Sequence, residues 1–125
     1  MVAHASFPRI DLQETDQNGK LLPSSLSSNF ISTLLREKLG FNNLVLTDDL
    51  EMGAIRDHFT LKQTVTMAVR AGIDVLLFSN TAKYRGSLGK EILEILVAEA
   101  EADPAFAARI QQSYDRIVAL KTRVR

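Results

Sequence analysis

Two aspartates in succession, Asp48 and Asp49, close a short apolar run formed by Leu44, Val45 and Leu46. The run is long enough for a buried strand over residues 44–47, and its abrupt polar end puts carboxylates at a strand's C-terminal edge. In parallel α/β folds, ligands and catalytic groups collect at that edge, because the strand anchors a side chain while the following loop leaves it reachable. An aspartate there is a candidate active-site residue. The competing role is to cap the helix begun by Leu50, Glu51 and Met52, since an acceptor side chain satisfies the free N–H groups of a first turn. With two carboxylates available, Asp49 is assigned to capping and Asp48, nearer the strand, to chemistry.

Few other residues compete for a chemical role. Cysteine is absent, so disulfides, thiol catalysis and thiolate metal sites are excluded. Of the two histidines, His58 reads as a surface or capping residue. Glu51 is explained as a solvated first-turn glutamate. Asp74 opens a second strand at the end opposite the carboxylates and is read as structural. Ser79 and Asn80 follow that strand at the correct end to meet a ligand, but polar residues are common there.

The elements that position these groups form a β/α series. Residues 1–4 look like the end of a strand entering a loop, broken by Pro8. Residues 11–25 are polar, with Asp16, Asn18, Gly19 and Pro23 as turn formers, and read as a long surface loop. A helix capped by Ser25 or Ser27 carries Phe30, Ile31, Leu34, Leu35 and Leu39 at helical spacing, ends at Gly40, and turns Arg36 and Glu37 outward. After the Asp48 strand comes a short helix broken near Asp57. Thr60 then caps a longer one that stops at Gly72. Residues 73–78 make the second strong strand, whose unbroken apolar run suits a sheet covered by helices. A basic loop follows. The next helix, over 91–102, carries Ile92, Leu93, Leu96 and Val97 on one side, and Asp103-Pro104 starts the last. Arg116, Lys121, Arg123 and Arg125 are read as favouring the dipole at that helix's end.

Composition narrows the class. The 125 residues are 46% hydrophobic and 24% charged, ordinary for one soluble domain. Fifteen basic residues balance fifteen acidic ones, so bulk charge makes no case for nucleic acid or an anionic membrane. No apolar run approaches the roughly 20 residues that span a bilayer. The start lacks a signal peptide's pattern, which favours a cytoplasmic location unless a preceding segment has been lost.

Three blocks, in order, resemble glycoside hydrolase family 3. They are Val2-Ala3-His4 with Phe7-Pro8 and Ile10-Asp11, then Leu34-Leu35-Arg36-Glu37-Lys38-Leu39-Gly40-Phe41, then Thr47-Asp48-Asp49-Leu50-Glu51-Met52-Gly53-Ala54. The resemblance continues through residues 68–77, like the family's last barrel helix and strand, and through residues 113–121, like its closing helix. It is similar above all to the β-N-acetylhexosaminidase branch.

The resemblance implies the last three β/α units of a (β/α)8 TIM-type barrel. Residues 1–125 are then the C-terminal portion of the catalytic domain, incomplete as a stand-alone chain, because a full barrel needs about 250 residues. It also implies a retaining hydrolase that removes terminal β-linked N-acetylglucosamine through a covalent glycosyl-enzyme, with Asp48 as nucleophile and neither cofactor nor metal. The branch's acid/base, a histidine assisted by an aspartate on a loop after an earlier strand, has no counterpart here, so the isolated chain is expected to be inactive. His4, near the site, is read as lining the sugar pocket against a structural hydrogen bond. Met52 is read as a substrate contact or as helix packing, with nothing to separate the two.

Two other functions compete. The chain could be a non-catalytic structural or interaction fragment that self-associates through open sheet edges. Alternatively, Asp48 and Asp49 could bind magnesium in a phospho-acceptor domain. The latter needs a further strand-end aspartate, and the second strand ends in Phe78-Ser79-Asn80 instead.

Overall fold

The computed structural model describes residues 1–9, 11–81 and 83–124. Ile10 of the first block and Arg125 of the terminal basic group lie outside the described residues. A 3-10 turn (Ser24–Leu26) leads into a helix (Asn29–Lys38). Strand β1 (Leu46–Asp49) follows, then helices α1 (Gly53–Arg56) and α2 (Leu61–Ala71), strand β2 (Val75–Leu77), and helices α3 (Leu88–Ala102) and α4 (Pro104–Arg123). No helix among the described residues is long and apolar enough to cross a membrane.

The strands are parallel, with Leu46 opposite Val75 and Asp49 opposite Leu77. Val2 makes an isolated parallel bridge to Thr47. Its N–H donates to the Leu46 carbonyl at 2.8 Å, and its own carbonyl accepts from Asp48 N–H at 2.9 Å. The spatial order is therefore Val2, β1, β2, with β1 in the middle. The fold class is α/β.

Side chains alternate across this sheet, and the two faces differ. Val45 joins the buried cluster of Leu26, Ile31, Leu50, Ile55, Ala68, Ala71 and Ile73, with Val2, Leu76 and Phe78 packed against it. Helices cover that face. On the other face Met1 is 78% exposed and Leu77 38%, and Leu46, Asp48 and Val75 are half-buried.

Local signals place α2 and α4 where the sequence expects them. Thr60 and Gln63 form a reciprocal capping box at the start of α2. Asp103 accepts the Ala105 N–H at 2.9 Å, with Pro104 in the first turn of α4. Gly72 stops α2 in the left-handed region at φ 114°, and an added Cβ would stand 2.9 Å from Ile31 Cγ2 and from Ser32 Oγ. Gly72→Ala therefore combines backbone strain with a clash and should cost about 1–3 kcal/mol. A lower urea midpoint is the expected sign, and an unchanged midpoint would contradict it.

Four expectations need correction. Strand β1 lies two residues later than residues 44–47, because Val45 N–H is drawn to Asp74 Oδ2 at 2.9 Å while pairing with Val2 and β2 continues through Asp49. The Asn29–Lys38 helix is wound in the wide π manner, and Leu39 N–H bonds to the carbonyl of Leu34, five residues back. In that helix Arg36 turns inward to Asp74, its side chain only 11% exposed, rather than outward. Leu39 in turn is left exposed, as are Leu93 and Val97 of α3. Finally, Arg116 serves Asp74 rather than the end of its helix.

Asp74 is the ionic centre of the fold. Its fully buried carboxylate accepts Arg36 Nη2 at 2.6 Å, Arg109 Nη2 at 3.1 Å, Arg116 Nη1 at 3.0 Å and the Ser113 hydroxyl at 2.9 Å. Through these bonds it ties the Asn29–Lys38 helix, β2 and α4 together. Residues 11–25 are more ordered than a plain loop. Thr15 and Leu21 pair across a turn held by Asp16, and the Glu14 carboxylate accepts the Asn29 N–H at 2.9 Å and the Ser27 hydroxyl. A loop carboxylate thus caps the helix that serine alone was expected to cap.

Candidate active site

Asp48 is the penultimate residue of the central strand. Its backbone is fixed by Val2, and one carboxylate oxygen accepts the N–H of Asp49 at 2.8 Å. Between Leu46 and Asp49 the register with β2 slips. Such an irregularity gives β1 one more residue than its partner and re-aims the side chains beside it. Beneath Asp48, fully buried Thr47 accepts the Leu77 N–H at 3.0 Å and stiffens the strand end. The carboxylate itself is half-buried on the open face of the sheet, with no cation bonded to it among the described residues.

Asp49 does a different job. Its Oδ1 accepts Glu51 N–H at 3.1 Å and Ser79 N–H at 3.0 Å, joining the loops that follow the two strands. Burial pushes its carboxyl up, but the hydrogen bonds from Ser79 and the Glu51 N–H more than offset this and hold it below the ordinary carboxylate range. This is turn and loop bonding rather than a helix cap, since α1 starts only at Gly53, after Met52. The two carboxylates are thus unequal: Asp49 ties two loops together, whereas Asp48 accepts the N–H of the next residue.

His4 spends both ring nitrogens on the chain. Nε2 lies 2.9 Å from the Asp49 carbonyl, which can only accept, so Nε2 carries the proton. Nδ1, 2.7 Å from the Ser25 oxygen, then accepts from that hydroxyl. The structural hydrogen bond is the reading that fits His4; its ring has no nitrogen left for a sugar. Met52 is 46% exposed. His58 is exposed beyond α1.

The sequence reading missed Glu51. Its Oε2 accepts the Ser79 hydroxyl at 3.2 Å and the Asn80 N–H, so it is a brace between loops rather than a solvated side chain. Asn80 holds a positive φ of 51°, and its amide clasps Arg85 by accepting Arg85 N–H at 2.8 Å and donating to Arg85 O at 2.9 Å. An asparagine in the turn that follows a strand is itself a signal for this, being among the non-glycine residues most at ease in the left-handed region. Nothing local marks Glu51, because its partners lie 28 and 29 residues ahead.

Comparison with known proteins accords with this geometry. The model of the glycosyl hydrolase family 3 N-terminal domain matches residues 1–120. A β-hexosaminidase from Bordetella parapertussis is 30% identical over 95% of this chain and 30% of its own length. A family 3 β-N-acetylglucosaminidase from Paenibacillus sp. FPU-7 superposes with a TM-score of 0.71 at 39% identity, over 82% of this chain and 19% of that one. A β-N-acetylhexosaminidase from Beutenbergia cavernae does so with a TM-score of 0.71 at 32% identity, over 81% of this chain and 29% of that one. The chain spans 20% to 32% of the length of curated relatives it matches. With the family matched from end to end on a fold of helices over a parallel sheet, this chain belongs to glycosyl hydrolase family 3, within its barrel-type α/β N-terminal domain.

Proposed function

We propose that the chain is the nucleophile-bearing part of a retaining β-N-acetylglucosaminidase and forms the last three β/α units of its (β/α)8 barrel. The observation that carries this reading is Asp48, at the C-terminal end of the central parallel strand, a carboxylate whose bond is to the N–H of the next residue and which no cation among the described residues neutralises. The open face of the sheet agrees with it, since that face corresponds to a barrel's interior. In the reaction, an Asp48 oxygen bonds to the anomeric carbon as the glycosidic C–O bond breaks and the leaving oxygen takes a proton from an acid. Water then attacks the same carbon from the vacated side and returns Asp48 as carboxylate, with net retention. The acid/base comes from outside these residues, since His4 is bonded on both sides and His58 sits past the site. Met52, exposed just beyond Asp48, is proposed to touch the sugar.

The test is a chimaera in which these 125 residues replace the matching segment of the Beutenbergia enzyme. It should release nitrophenol from an aryl β-N-acetylglucosaminide, whereas the 125-residue chain alone should not. A folded but inactive chimaera would overturn the assignment, and turnover by the chain alone would overturn the missing acid.

A second reading, a fragment that self-associates through its sheet, is favoured by one observation, the exposed Met1 beside one edge of the sheet and Leu77 at the other. Mass that rises with concentration would distinguish it.

A further inference from the structure

The hairpin within residues 11–25 takes no part in the proposed reaction, yet it is firmly held. Asp16 Oδ1 accepts the N–H groups of Asn18 and Lys20 at 2.8 Å and 2.9 Å, and Gly19 turns the tip at φ 78°. Thr15 pairs with Leu21, and Leu22 N–H donates to the Glu14 carbonyl at 2.8 Å. The hairpin faces the turn after α1 and the first half of α2, and a cavity of 430 Å³ lies between them.

The floor of this cavity is apolar, made by Leu22, Phe59 and Met67, and the last two pack against the buried core. Its walls carry polar side chains with hydrogen-bonding capacity to spare. Gln63 shows this best. Its amide oxygen lies 2.9 Å from the Thr60 N–H, which can only donate, and 3.1 Å from the Thr60 hydroxyl. The oxygen therefore faces Thr60 and the NH2 faces away. Asn18 and His58 line the same cavity. Among the described residues no hydrogen bond holds the Gln63 NH2, the Asn18 amide or the His58 ring.

The wall selects its ligand by chemistry. Among the described residues no lysine or arginine lines it, and its one carboxylate, Asp16, already accepts two backbone N–H groups, so it offers little to a charged ligand. No group of three His, Asp or Glu side chains suited to a metal ion exists among the described residues. What remains is a set of neutral donors and acceptors around an aromatic and aliphatic floor. A sugar ring complements such a site, because its hydroxyls both donate and accept while its C–H face packs on an aromatic side chain. The volume lies within the range of about 300–1,000 Å³ usual for small-molecule sites.

We infer that this cavity is a second saccharide site, which holds a neutral sugar unit without acting on it. The ligand class follows from the wall alone and stands whether or not Asp48 is a nucleophile. Asp48 does not line the cavity, and Phe59 and Met67 pack on the helix-covered side of the sheet, opposite Asp48. The role of the site is to keep hold of a saccharide, not to place the bond that is cleaved.

The test is a titration of the isotope-labelled chain with N,N′-diacetylchitobiose and with cellobiose, both neutral, followed by NMR. At least one of them should shift the Asn18 and Gln63 side-chain NH2 signals saturably, with the same affinity in Asp48→Asn. Gln63→Glu preserves the capping box, where glutamate serves as well as glutamine, and exchanges only the free donor for an acceptor. It should weaken binding about tenfold, and His58→Ala severalfold. No shift with either sugar, shifts confined to residues around Asp48, or an affinity that both variants leave unaltered would overturn the inference. An inactive chimaera would sink the glycosidase reading and leave this site standing, whereas hydrolysis without these shifts would sink this site alone.

Discussion

Asp48→Asn, introduced into the active chimaera, should lower turnover by at least about a thousandfold while leaving the fold and its unfolding midpoint nearly unaltered. Asparagine keeps the shape and the acceptor that Asp49 N–H uses, so the strand end is conserved. It loses the charge that bonds to the anomeric carbon. Asp49→Asn should behave in the opposite way. Its carboxylate holds Glu51 N–H and Ser79 N–H, and neutralising it should cost about 1–2 kcal/mol of stability while most activity per folded molecule remains. The pH dependence follows from the direction of its shift. A carboxyl held lower in the folded chain than in the unfolded one contributes stability that is full above the unfolded value, about 3.9. That contribution is lost as pH falls through the lower folded value. In Asp49→Asn this acid-side loss should shrink. The reverse ranking, with activity lost in Asp49→Asn and kept in Asp48→Asn, would move the nucleophile by one residue.

Asp74→Ala should have the largest effect on stability, at about 3–5 kcal/mol. A domain of this size is stable by about 5–15 kcal/mol in all, so the variant should be unfolded or loosely packed at ambient temperature. The magnitude comes from what is left behind. Arg36 and Arg109 have side chains only 11% and 13% exposed, and they would remain as buried charges without a counter-ion. Burial by itself would raise the Asp74 carboxyl. The Val45 N–H, the Ser113 hydroxyl and the Arg109 and Arg36 guanidinium groups overcome this and hold it low. Burial also lowers Arg109, yet an arginine stays charged throughout the pH range in which a fold exists. By the same sign rule, stability from Asp74 is full above the unfolded carboxyl value and is lost in acid. Asp74→Asn, which keeps shape but not charge, should fall between wild type and Asp74→Ala in urea unfolding. A loss below about 1 kcal/mol in Asp74→Ala would show that the arginines find other partners.

Legibility divided along the distance between partners. The starts of α2 and α4 and the stop at Gly72 rest on neighbours within a few residues, and the sequence carries them in full. The end of β1 does not, because Val2 and Leu77 decide which residues pair, and Val45 is claimed by Asp74 from 29 residues away. A 3.6-residue period points Arg36 outward, whereas its helix is wound more widely and turns it inward to Asp74. His4 was left between two roles because its partners, Ser25 and the Asp49 carbonyl, are 21 and 45 residues distant. In the candidate site, nearness to the strand does not separate the two aspartates, since both lie within β1; what sets Asp49 apart is its bonds to Glu51 and Ser79. The bracing of the loops by Glu51 and Asn80 was not legible either, since it exists only once the two strands lie side by side.

The most direct test of the central claim is to trap the intermediate. The active chimaera would be treated with a fluorinated N-acetylglucosaminyl fluoride, whose sugar transfers to the nucleophile but leaves slowly, then digested and analysed by mass spectrometry. A sugar adduct on Asp48, absent from the Asp48→Asn variant, is the predicted result. An adduct on Asp49 or any other residue, or turnover of the reagent without an adduct, would contradict it.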